Sequence, residues 1–217
     1  MTPGQIISDY AGVMGSGAVK DLILTVVSVI ISVIIGVMFA AGRLYAPKPI
    51  QIVISWYVEI IRGFPAIVQL FIIFFGLQQF GIMLSPLTAA MIWLVAYGVG
   101  YAVEIFRSGI MDVAEGQWEA ASALGLPWFT TLRKIVFPQA LVTMLPSLTS
   151  FVVLQLKNTT LLYLVGYADV MYQARNGTDS TSAPGILYPM AAAVYLIMSL
   201  AIGRIGLYME RRAAAYR

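Results

Sequence analysis

The sequence predicts an all-α integral membrane protein of five transmembrane helices, with the N-terminus outside and the C-terminus in the cytoplasm. Three observations carry that prediction. Of 217 residues, 60% are hydrophobic and only 11% charged, and the mean hydropathy is +0.86; an ordinary soluble domain carries about 25% charged residues. Five segments are long enough to cross a hydrocarbon layer of about 30 Å, which takes about 20 apolar residues. The basic residues gather on one side of those segments.

The first span is 21–41, "DLILTVVSVIISVIIGVMFAA". The second lies within 50–77, "IQIVISWYVEIIRGFPAIVQLFIIFFGL", and the third near 87–106. The fourth lies within 139–166 and the fifth near 186–203. An odd number of spans places the termini on opposite sides. The connection 42–50 carries Arg43 and Lys48, the connection 107–138 carries Arg107, Arg133 and Lys134, and the C-terminal end carries Arg204, Arg211, Arg212 and Arg217. The opposite side has only Lys20 and Arg175. Nine against two assigns the first group to the cytoplasm by the positive-inside rule. The connection 167–185 is then an external loop, and its Asn176-Gly177-Thr178 matches the short and common glycosylation acceptor pattern.

Cysteine and histidine are absent, which excludes disulfides, thiol nucleophiles, histidine acid–base chemistry and most transition-metal sites. Net charge is +3, with no basic run or aromatic-interleaved patch of the kind that binds nucleic acid. No cationic region precedes the first apolar stretch, so no cleaved signal peptide is expected. There is no internal repeat, and residues 1–217 read as one domain.

The 107–138 connection contains "GQWEAASALGLPWFTTLRKIVFP" at 116–138, a soluble-looking insert in an apolar chain. Gln117 to Leu124 contains no proline or glycine and is made mostly of good helix formers. Trp118, Ala121 and Leu124 fall at helical spacing and give one semi-apolar face. Gly125 follows as a C-terminal stop, then Leu126 and Pro127. The helix is too short to span. Lying on the membrane surface would call for Lys and Arg on its polar face, but it carries Gln117 and Glu119 instead. Docking into a groove of a soluble partner fits better.

This stretch resembles the EAA loop of bacterial ABC importer permeases. Glu119, Ala120 and Ala121 are followed at the family's spacing by Gly125, then by Ile135, Phe137 and Pro138. "EIIRGFPAIVQLFIIFFGL" at 59–77, "AVEIFRSGI" at 102–110 and "LKNTTLLYLVGYADV" at 156–170 are similar to the polar amino acid subfamily. The resemblance implies a type I importer permease in the bacterial inner membrane, working as a pair with an identical or related permease. It implies two further partners, an ATPase dimer and an external solute-binding protein. It also implies that the insert is the coupling helix, with Gln117, Glu119, Ala120, Ala121, Gly125, Leu126 and Pro127 against the ATPase. Gly125 would allow a tight turn or a close backbone approach. The chain has no GxxxxGK phosphate loop, so it is expected to be no enzyme and to hold no cofactor; ATP and magnesium would sit on the partner.

Two cations fall inside spans, Arg62 and Lys157. A charge at the centre of a span costs about 2.5–3.5 kcal/mol on insertion scales, so each is a functional candidate. Glu59 lies three residues before Arg62, and an internal ion pair is the alternative reading. Gly63, Phe64 and Pro65 follow. Pro65 has no N–H to bond the Ile61 carbonyl, which predicts a bend beside a polar cavity, with Gln69 one turn on. Lys157, Asn158, Thr159 and Thr160 are four successive polar residues that no single helical face can hold. Lys157 could hold a substrate carboxylate; the alternative is a packing pair with Glu59 or Glu104. Related permeases have Asp or Asn after this lysine. Asn158 supplies no charge for a cationic group, which favours acidic or neutral amino acids such as glutamate, aspartate or glutamine. Glu104 and Arg107 read as an interfacial pair, and Gly98 and Gly100 as sites of close helix packing. The alternatives are the same architecture carrying another small polar solute (a cationic amino acid, an opine or an amino-acid derivative), or a self-contained secondary transporter or scaffold.

Overall fold

In a computed structural model, which describes residues 2–214, the described residues are helical with no strand. Helix α1 runs Pro3–Tyr45, 43 residues, or about 65 Å at 1.5 Å per residue. It begins well before the expected first span. A capping box starts it: Thr2 Oγ1 accepts from Gln5 N–H at 3.4 Å, and Gln5 Oε1 accepts from Thr2 N–H at 2.9 Å. The surplus length is not left bare. Ile6 and Met14 pack with Val170, Ala174, Leu187 and Ala191, so the outer part of α1 forms a cap with two later elements.

The expected second span is broken. α2, Lys48–Gly63, and the helical run Ala66–Phe80, which opens with α3, Ala66–Phe71, meet at 108°. The run continues through a π-helical turn, Ile72–Gly76, and a 3₁₀ turn, Leu77–Phe80. Pro65 causes the break as expected, but the result is a sharp corner and not a gentle kink.

α4, Pro86–Met111, is the central helix. Ala89, Ala90, Trp93 and Leu94 are fully buried. A Cβ on Gly98 would collide with Ser32 of α1 and Gln155, and one on Gly100 would lie 2.5 Å from Ile61. The expected close packing is therefore present, and it is what lets α1 and α2 approach α4. At the cytoplasmic end Glu104 and Arg107 pair as expected, and Arg43 of α1 joins them with Nη1 2.6 Å from Glu104 Oε2. Arg43 Nε also donates to Ser55 Oγ at 3.1 Å, so three helices are tied at one point.

α5, Glu115–Ala123, and α6, Trp128–Thr131, form the cytoplasmic insert. After a π-helical turn, Leu132–Val136, α7 runs Phe137–Asn158 and continues as 3₁₀ through Thr159–Val165. The connection expected to be an external loop contains a helix, α8, Val170–Thr181. Asn176, Gly177 and Thr178 therefore lie in a helix, and Gly177 is buried against Tyr10 and Leu187. α9, Pro184–Ala214, is longer than the fifth span requires. Arg217, counted above among the cytoplasmic basic residues, lies outside the described residues.

Candidate functional site

The corner between α2 and α3 is built by its own side chains. Pro65 denies Ile61 O its helical partner. Gln69 Nε2 takes that role, donating to Ile61 O at 2.8 Å and to Phe64 O at 2.9 Å. Gln69 thus closes the corner and does not face an open path. Arg62, Gly63, Phe64 and Pro65 remain exposed at the tip.

Arg62 does not pair with Glu59 among the described residues. Its guanidinium sits over the Tyr101 ring, 5.6 Å from the centroid, a cation–π contact that favours the charge without cancelling it. Tyr101 accepts from the Tyr97 hydroxyl at 3.0 Å. It also lines a cleft of about 350 Å³ with Ser147, Ser150 and Leu154. Ser147, Ser150, Leu154 and Lys157 are spaced three, four and three residues apart, so they share one face of α7.

Of the "KNTT" residues, Lys157 is exposed and has no ion-pair partner among the described residues; neither Glu59 nor Glu104 reaches it. Asn158 is turned inward, with Nδ2 donating to Gln155 Oε1 at 3.3 Å. Gln155 Nε2 in turn donates to Leu94 O at 2.8 Å. Thr159 is fully buried and donates to Leu156 O at 2.7 Å. Thr160 donates to Lys157 O at 2.7 Å and is partly exposed. The four residues split as helical geometry requires, with Lys157 outward and Asn158 and Thr159 packed inside. Asn158 therefore does not border the cleft, and the inference drawn from its lack of charge loses its geometric basis. Sequence reasoning missed Tyr101, Ser147 and Ser150; the stripe of 147, 150, 154 and 157 at helical spacing was the available signal.

The cytoplasmic insert presents a different surface. Gly125 has φ +69°. Its N–H donates to Ser122 O at 2.9 Å, and Leu126 N–H donates to Ala121 O at 3.1 Å, the left-handed glycine stop that the sequence predicts. Among the described residues no atom outside its neighbours lies within 4 Å of the position where a Cβ would stand, so the tight turn is the use of Gly125 there. Ala121 is buried and Trp118 half-buried, but Leu124 is 77% exposed. The helix ends at Ala123, which swings Leu124 off the apolar face to the tip. Gln117, Glu119, Ala120, Gly125 and Pro127 are exposed, with Leu126 partly so. Gln117 is held by Gln139, whose Nε2 donates to Gln117 Oε1 at 3.1 Å. Tyr45, Asp112, Glu115, Trp118 and Trp128 line a cleft of about 600 Å³ beside α5. Residues 108–132 carry Asp112, Glu115 and Glu119 but no Lys or Arg. The insert is an acidic island on an otherwise basic side.

The chain is similar to proteins of one kind throughout. Residues 28–214 match the family described as binding-protein-dependent transport system inner membrane component. The L-cystine transport system permease protein of Bacillus subtilis is 31% identical over 205 residues, 94% of this chain and 88% of that one. The histidine/lysine/arginine/ornithine transport system permease protein of Escherichia coli is 31% identical over 214 residues, covering 94% of each. Among solved structures, an amino acid ABC transporter crystallised with histidines superposes with a TM-score of 0.90 at 35% identity, over 95% of this chain and 96% of that one. An inward-facing methionine ABC transporter shares the fold, with a TM-score of 0.79 at 19% identity over 93% and 96%. The fold, the acidic insert with its glycine stop and these likenesses agree: the chain belongs to the binding-protein-dependent transport system inner membrane components, and is a multi-pass ABC importer permease, a transport subunit and not an enzyme.

Proposed function

We propose that this chain forms half of the translocation path of an ATP-driven amino acid importer, with acidic or neutral amino acids as cargo. The observation that carries the reading is the pair of cations, Arg62 and Lys157. Both are exposed, and neither has a carboxylate partner among the described residues. Such cations attract the α-carboxylate common to all amino acids. Gly63, Phe64 and Pro65 shape the corner that presents Arg62, Thr160 lies beside Lys157, and Ser147, Ser150 and Tyr101 offer neutral hydroxyls. The preference against cationic cargo rests on the cleft lining, which includes no acid: Glu104 is engaged by Arg43 and Arg107, and Glu59 lines a separate pocket on α2. Relatives named for glutamine and L-cystine support the class. Those named for arginine and nopaline leave the cationic and opine readings as the alternative.

In this reading the α5 insert seats in a groove of an ATPase, with Glu119, Ala120, Gly125, Leu126 and Pro127 on the contact surface and Gln117 orienting the helix. Its negative charge is repelled by anionic lipid and suits a basic protein surface. The complex holds two permease copies (or this chain with a related one), two ATPase subunits that bind ATP and magnesium, and an external solute-binding protein. The chain itself holds no cofactor.

The test is reconstitution with the ATPase and binding protein in lipid. Arg62→Met and Lys157→Met should each lower uptake of the cognate amino acid at least tenfold while leaving assembly intact. Glu119→Lys should abolish stimulation of ATP hydrolysis by cargo. Unchanged uptake in both methionine variants would sink the path assignment, and intact stimulation in Glu119→Lys would sink the coupling assignment.

A further inference from the structure

The outer cap contains two carboxylates that neither the translocation face nor the insert uses. Asp21 of α1 and Asp169, the N-cap residue of α8, are both fully buried. Asp21 Oδ2 accepts the Tyr195 hydroxyl of α9 at 2.9 Å and the Val170 N–H at 3.3 Å. Val170 directly follows Asp169, so the two acids meet across one peptide unit. Asp169 Oδ1 accepts Tyr172 N–H at 2.5 Å. The remaining oxygens, Asp21 Oδ1 and Asp169 Oδ2, are buried with no hydrogen-bond partner.

Among the described residues no cation forms an ion pair with either of them. Lys20 is the nearest cation in sequence, but its Nζ reaches Ala168 O at 3.4 Å and neither carboxylate. On α8, Arg175 is committed to Asp179 at 3.0 Å on the outer surface. The other titratable groups of the cap are phenols, Tyr10 of α1, Tyr163 and Tyr167 of the 3₁₀ segment and its turn, Tyr172 of α8, and Tyr188 and Tyr195 of α9, together with Asp9, which is exposed on α1. Two bare carboxylates in one dry space are costly twice over, through lost hydration and mutual repulsion. A single proton relieves both, because it removes one of the two charges and gives an orphaned oxygen a hydrogen of its own.

We propose that Asp21 and Asp169 hold one proton in common, and that this proton latches the α8 cap to α1 and α9. The latch faces outward, so it responds to external pH. Burial above all, with the Asp21 charge adding to it, pushes the Asp169 carboxyl up to about 8. An acid in an opened cap returns to about 3.9. The closed cap therefore binds a proton that the open cap releases. Closure is strongest in the acidic range and weakens as pH rises toward about 8.

Two measurements on the full chain in lipid nanodiscs test this. Infrared spectroscopy at neutral pH should show the carbonyl stretch of a buried carboxylic acid, absent in Asp169→Asn. Hydrogen exchange of the α8 amides, corrected for intrinsic rate, should lose at least tenfold in protection between about pH 6 and about pH 9. Asp169→Asn keeps a good N-cap, and its amide N–H stands in for the shared proton, so its protection should be high and flat with pH. A wild-type spectrum with no acid band would overturn the proposal. So would an equal pH dependence in Asp169→Asn. Protection that follows sodium at fixed pH, replaced by choline as control, would point to a bound cation and overturn it as well.

Discussion

Replacing Gln69 by Met removes the amide that closes the α2–α3 corner while keeping side-chain length. Two carbonyls, Ile61 O and Phe64 O, lose donors at 2.8 and 2.9 Å. In a soluble interior, stranding two such acceptors would cost about 1–3 kcal/mol each. Interhelical hydrogen bonds in membranes average nearer 0.6 kcal/mol, because the unfolded chain in lipid also finds partners. Phe64 is 53% exposed, so water relieves its carbonyl more than that of Ile61. The lower scale therefore governs, and the expected loss is about 1–2 kcal/mol. The assay is equilibrium unfolding in mixed micelles, with transport measured in parallel. Gln69→Glu, which offers an acceptor to two carbonyls, should be worse than Met. A wild-type unfolding curve for Gln69→Met, or Gln69→Glu as the milder change, would refute this role for Gln69.

Other substitutions probe the rest of the framework. Glu104→Gln leaves Arg43 and Arg107 facing each other; the side chains are 19–27% exposed, between the surface and buried regimes, so a loss of about 1–3 kcal/mol is expected in the same unfolding assay. Gly125→Ala puts a Cβ on a residue at φ +69°, which costs about 1–2 kcal/mol. That strain falls on the insert alone, so cargo-stimulated ATP hydrolysis should drop while the unfolding midpoint of the spans stays put.

Features governed by neighbours in sequence were legible before the fold was known. The Gly125 stop, the Pro65 break, the Glu104–Arg107 pair and the close packing at Gly98 all follow from spacings of a few residues. The errors share a cause. Leu124 belongs to the α5 face by periodicity but escapes it because the helix ends one residue earlier. The pairings of Arg62 and Lys157 with nearby acids are reasonable on one helix, yet Arg62 prefers Tyr101 of another. The 167–185 connection looks polar and loop-like because α8 buries only Val170, Ala174 and Gly177, too few apolar residues to announce a helix.

By itself the sequence determined that this protein is an all-helical membrane protein, and it predicted five spans, their orientation and the loop proposed to meet a soluble partner. Hydropathy, charge bias and motif spacing are sums over adjacent residues, and no folding is needed to evaluate them. The tertiary structure alone decided which polar groups are stranded. Asp21 looks like an ordinary acid at the end of a span until Val170, 149 residues away, and Tyr195, 174 residues away, close over it. A carboxylate's hydration depends on what surrounds it in space, and three helices must converge before that surrounding exists.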